Sequence, residues 1–178
     1  LGGKGRGLAF LNALLCTMDY EKKFENTAIS LPSTAIIGTN EFDQFVERNG
    51  IMEKVQGKSD EEIDEIFIQG KLSNTLVSRL EIYLDHVRYP IAVRSSSLLE
   101  DSQAQPLAGV YRTFMLPNNH EDKMHRLRQL MDAIKLVFAS VYLDDARNFL
   151  DALNFKAEEE KMAVIIQETV GCLKGDHY

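Results

Sequence analysis

One apolar stripe constrains this chain more than any other feature. Between residues 121 and 141, Met124, Leu127, Leu130, Met131, Ile134, Val137, Phe138 and Val141 recur at three- and four-residue steps. That spacing predicts one long helix with a continuous apolar face. Such a face needs a broad apolar partner. The chain supplies short strands that can form one: STAIIGT (33–39), IAVR (91–94), YRTFML (111–116) and KMAVIIQETV (161–170). In the last of these Ala163, Val164, Ile165 and Ile166 follow without interruption, the pattern of a deeply buried strand.

Helical segments fill the intervals. Leu8, Leu11, Leu14, Leu15 and Met18 are spaced for a helix to about Thr17 behind GGKGRG (2–7). Asn40 can cap a helix carrying Phe42, Phe45 and Val46, with Gly50 as its stop. Ser59 and Glu62 form a capping box. Gly70 ends or kinks that helix, and Leu76, Leu80, Tyr83, Leu84 and Val87 mark another. A shorter helix is expected near 143–153, and the polar stretch 54–62 reads as a loop between lobes. This order predicts an α+β fold, a mixed sheet with packed helices, with too few strands for a full Rossmann or barrel fold. Residues 40–88 form a candidate helical insert.

With 178 residues, 44% hydrophobic and 26% charged, the chain can bury a core as one domain or two small lobes. The net charge of −7 argues against nucleic-acid binding through bulk positive charge and leaves room for a local basic pocket. No apolar run reaches the roughly 18 residues of a membrane span. Cys16 and Cys172 stand apart in apolar segments, which predicts buried free thiols and a reducing, cytoplasmic location. The chain begins at Leu and reads as a piece of a longer protein.

The stretch VRSSSLLEDSQAQPLAGVYRTF (93–114) raises the chemical question. A strand ending in Arg94 and three serines presents a planar guanidinium and hydroxyl donors, which suit phosphate oxygens. The competing reading pairs Arg94 with Glu100 or Asp101. GGKGRG offers glycines, a helix N-terminus and Lys4 to an anion, or is a flexible turn; its spacing is neither GxxxxGK[ST] nor GxGxxG. Gly109 before a strand suggests close approach by a backbone or ligand. By alternation Thr113 shares a face with Tyr111 and Met115, with Arg112 solvated on the other. Gln167 is either a base-reading amide or an edge residue where its strand surfaces. His86, His120, His125 and His177 read as surface or cap residues, EEEK (158–161) as a solvated turn, and no carboxylate pair makes a convincing metal site.

Together, GGKGRGLAFL (2–11), VRSSSLLEDSQAQPLAGVYRTF, VFASVYLDDARNF (137–149) and KMAVIIQETV resemble the N-terminal ATP-binding region of the phosphoenolpyruvate synthase and pyruvate phosphate dikinase family. The resemblance implies part of an ATP-grasp-like domain spanning 1–178. It maps Lys4 and Arg94 to ATP phosphates, Gly109 and Thr113 to the phosphate lining and Gln167 to the adenine. It implies ATP and Mg2+ as cofactors. ATP would donate its β-phosphoryl group to a histidine on a swivelling domain and leave AMP, and the group would pass to pyruvate in a barrel domain. The second lobe, the metal ligands and the carrier histidine would lie beyond Tyr178, so the isolated fragment is expected to be inactive. The stretch SLLEDSQAQPLAGVY (97–111) is closer to the synthase type than to the dikinase type. Alternatives within the family are a pyruvate phosphate dikinase or a phosphotransferase for an antibiotic or glucan; outside catalysis, a nucleotide-sensing module.

Overall fold

The apolar stripe becomes α6 (Lys123–Ala139), capped by the Asp122 carboxylate, which accepts from the Met124 N–H at 2.9 Å. The computed structural model describes residues 1–18, 26–97, 109–155 and 159–171. Leu127, Leu130, Ile134, Val137 and Phe138 of α6 are fully buried, and the helix contacts strands β2 (Ile91–Ser96) and β3 (Thr113–Leu116). Met124 leaves the stripe: in the first turn it stands exposed.

Among the described residues the sheet has four strands in the order β1-β4-β2-β3, with β1 at Thr34–Ile37 and β4 at Ala163–Glu168. All three pairings are antiparallel, so the fold mixes helix and strand but not strand direction. Register sorts the side chains into two faces. Ala35, Ile166, Val93 and Phe114 form one cross-strand row and join the core beneath α6. The alternate rows, Thr34–Gln167–Ala92–Met115 and Ile36–Ile165–Arg94–Thr113, point the other way.

On the core side lie α2 (Thr39–Asn49), α3 (Ile51–Lys54), α4 (Asp60–Gln69) and α5 (Asn74–His86). Phe42 and Phe45 of α2, Phe67 of α4 and Phe138 of α6 pack with ring centroids 5.3–5.7 Å apart, a spacing that favours edge and offset ring contacts. The Ser59 capping box on α4 is present on both sides. A seventh helix, α7 (Asp144–Ala152), buries Ala146 and Leu150. Among the described residues, α1 (Gly2–Thr17) sits on the opposite sheet face, against β2 and β4. Its presence there is why β4 is buried on both sides, Ala163 and Ile165 included.

Several local expectations change. Gly38, not Asn40, caps α2, because the helix starts two residues earlier. The expected 54–62 loop shortens to a turn at 55–59 between two helices, with Lys54 closing α3 and Asp60 opening α4. Tyr111 turns into the core ahead of β3, so the Thr113 alternation does not extend back to it. Arg112 is not solvated alone: its Nη1 donates to both Asp64 oxygens at 2.7 Å. Glu160 is buried because the chain is already entering β4. Cys16 is an exposed thiol, since α1 buries only Gly2 and Gly5; Leu11 and Met18 of its expected stripe are exposed too. Cys172 lies outside the described residues.

A buried arginine ties α5 to α6. Arg126 donates from Nη1 to the Val87 carbonyl at 3.1 Å and to the Leu84 carbonyl and Asn118 Oδ1 at 3.3 Å. Asn118 Nδ2 in turn donates to the Val87 and Tyr89 carbonyls at 3.1 Å. A cation here meets the C-terminal carbonyls of α5, where the helix dipole favours it. Arg126→Ala should therefore lower stability by about 3 kcal/mol, read as a drop in thermal midpoint. An unchanged midpoint would show that the cluster contributes nothing.

Candidate functional site

The glycine-rich start is helical, and it is fastened to the end of β2. The Gly3 N–H donates to the Ser97 carbonyl at 2.8 Å. The Gly5 N–H donates to Ser96 Oγ at 3.0 Å, and Ser96 Oγ donates to the Leu1 carbonyl at 3.1 Å. Gly2 has φ +66°, and a Cβ built on it would lie 1.9 Å from the Ser96 carbonyl oxygen. Only glycine fits that position. Thus Ser95, Ser96 and Ser97, all buried, do not form the row of ligand-facing hydroxyls that the sequence suggested. They form a polar seam that receives α1.

The seam decides where Lys4 and Arg94 stand. Lys4 Nζ reaches the Ser95 carbonyl at 3.4 Å, one residue along β2 from Arg94. Arg94 is half-buried on the α1 side of the sheet, directly opposite Thr113 on β3. Its Nη1 donates to Gln167 Oε1 at 3.3 Å. Gln167 Nε2 donates to Thr34 Oγ1 at 3.2 Å, and that hydroxyl donates to the Pro32 carbonyl at 2.8 Å. Lys4, Arg94, Thr113 and Gln167 therefore share one sheet face and its end. Gly109 is exposed in the turn before β3, with φ +84° and open space where a Cβ would be. Glu100, Asp101 and the rest of 98–108 lie outside the described residues.

Beside this row is a hollow of about 250 Å³ between α1 and β1, lined by Leu8, Asn12, Pro32, Thr34 and Ile36 among others. A larger groove of about 430 Å³, with Phe42, Glu47, Met52 and Lys161 in its lining, lies away from these residues. The histidines keep surface positions. His86 Nδ1 lies 2.9 Å from the Ile82 carbonyl, and His120 accepts from the Asp122 N–H and stacks on His125; His177 lies outside the described residues. Among the described residues no three or more His, Cys, Asp or Glu side chains come together as a metal site. The groups on this face, two cations, a hydroxyl and an amide, suit an anion and not a divalent cation.

Sequence comparison supplies the deciding observation. Residues 1–173 match the pyruvate phosphate dikinase AMP/ATP-binding domain family. The chain belongs to this family. It is also similar to an uncharacterized phosphotransferase, YvkC, of Bacillus subtilis (strain 168), at 24% identity over 148 residues. That match covers 82% of this chain and 16% of the relative, so the chain spans a small part of that protein's length. Membership in an AMP/ATP-binding family agrees with the anion-suited face. No helix among the described residues is long and apolar enough to cross a membrane.

Sequence reasoning missed Thr34 and misassigned the serines. Neither was accessible without register: Thr34 meets Gln167 only because β1 pairs with β4, and Ser96 meets Gly5 across 91 positions. The seam makes a paired prediction. Gly2→Ala should drive α1 off β2, lowering the thermal midpoint and ATP affinity together. Gly7→Ala, with nothing within 4 Å of its Cβ position, should raise stability by up to about 1 kcal/mol through helix propensity. Wild-type stability and affinity in the Gly2→Ala variant would contradict the seam.

Proposed function

We propose that this chain is the phosphate-binding lobe of an ATP-grasp-like nucleotide site in a phosphoenolpyruvate synthase-like phosphotransferase. The observation that carries the reading is the placement of Lys4 and Arg94. On a chain of net charge −7, two cations are held at one end of one sheet face, beside an exposed threonine and a glycine turn. Phosphoryl transfer rests mostly on positioning and charge stabilisation. Lys4 and Arg94 would bind the polyphosphate oxygens, with the Arg94 fork engaging two at once. Thr113 and Gly109 would line the same region.

The base would lie near Gln167 and the hollow beside Thr34, with the phosphates running toward Arg94 and Lys4. ATP supplies the transferable phosphoryl group; magnesium would take its ligands from parts of the full-length protein outside this chain. A carrier histidine and a pyruvate-binding domain would likewise come from the rest of the protein, in a cytoplasmic enzyme.

The full-length protein should release AMP from ATP in the presence of magnesium and pyruvate and form phosphoenolpyruvate. Phosphate as companion product marks a synthase, and pyrophosphate formed from added phosphate marks a dikinase. Arg94→Ala should reduce turnover at least 100-fold while leaving the thermal midpoint close to wild type. Full turnover in that variant would contradict the phosphate role. The similarity to a phosphotransferase whose name specifies no acceptor favours one second reading, transfer to another acceptor, which AMP formation without any pyruvate requirement would reveal.

A further inference from the structure

We propose that Thr34 is a positioning residue for Arg94, acting through the amide of Gln167; this rests on the nucleotide-site reading above. The argument is one of hydrogen-bond direction. The Pro32 carbonyl can only accept, so the Thr34 hydroxyl, 2.8 Å away, commits its single hydrogen to it. The oxygen of Thr34 is then left as an acceptor toward Gln167. An amide has one donor end and one acceptor end, and its orientation follows from its partners. Gln167 must turn Nε2 to Thr34, at 3.2 Å, and that turns Oε1 to Arg94 Nη1, at 3.3 Å. Reversed, the amide would present N–H groups to a guanidinium, donor against donor.

Register makes the chain of contacts possible. Thr34 and Gln167 are direct cross-strand partners. Gln167 lies opposite Ala92, so Arg94 is its diagonal neighbour, within reach of a long side chain. The small Ala92 leaves the diagonal open. Three strands thus cooperate to hold one guanidinium, and an end of the relay far from Arg94 in sequence sets its aim. Arginine has several rotatable bonds, and holding it in advance lowers the ordering cost at binding.

The test is the dissociation constant for ATP of the full-length protein, measured for wild type and for Thr34→Val, Thr34→Ser, Gln167→Leu, Thr34→Val/Gln167→Leu and Arg94→Ala. Thr34→Val keeps the shape and β-branching and removes the hydroxyl. It should weaken ATP binding about three- to tenfold at an unchanged thermal midpoint, and Thr34→Ser should restore it. The double variant should bind no more weakly than Gln167→Leu alone, because both changes cut one relay. If Thr34→Val lowers the midpoint, Thr34→Ala gives the same comparison without added atoms. Wild-type affinity in the hydroxyl-free variant, or additive losses in the double variant, would overturn the relay while leaving the site reading intact, provided that Arg94→Ala still loses ATP. Absence of ATP binding by wild type, or its retention in Arg94→Ala, would overturn the site reading and the relay with it.

Discussion

The contact between Gly2 and the Ser96 carbonyl is the constraint on which the rest of the site depends. A helix that opens with glycines at 2, 3, 5 and 7 is intrinsically poor, by roughly 0.5–1 kcal/mol for each interior glycine relative to alanine. Its lipophilic residues do not compensate, since Phe10, Leu11 and Met18 face outward. What α1 gains is docking: backbone N–H groups of Gly3 and Gly5 bonded to Ser97 and Ser96, and a backbone approach that a side chain would block. The glycines weaken the helix and permit the contact that holds it.

That docking divides the sheet's outer face. Over Ile36, Ala163 and Ile165 the face is covered by α1; over Thr113 and Met115 it is open, Met115 being 61% exposed. The opposite face is committed to the aromatic and aliphatic core beneath α6. Arg94 stands at the border between covered and open ground. There a charge keeps access to solvent, while its surroundings are dry enough to strengthen its hydrogen bonds.

Much of this was legible in the sequence, for identifiable reasons. The α6 stripe and the AVII run declare themselves through periodicity and length, because their partners are flat and apolar whatever their identity. The Ser59–Glu62 box is local and needs no tertiary information. Lys4, Arg94, Gly109, Thr113 and Gln167 stood out by residue type and neighbourhood, and the structure brings four of them to one face and its end. What was not legible depended on distant pairing. The serine run looked like ligand chemistry because hydroxyls serve a phosphate and a helix backbone equally well. Asp64 claims Arg112 across 48 positions, and Arg126, written into an otherwise regular helix, answers carbonyls at the end of α5. Cys16 is exposed despite its apolar neighbours, because α1 is fastened by its glycines and not by an apolar face.

The most direct measurement is a crystal structure of the full-length protein with a non-hydrolysable ATP analogue and magnesium. The account predicts a polyphosphate within hydrogen-bond reach of both Lys4 Nζ and the Arg94 guanidinium, on the sheet face that carries Thr113, with α1 still seated on Ser96. A nucleotide bound elsewhere, or phosphates that touch neither side chain, would contradict it.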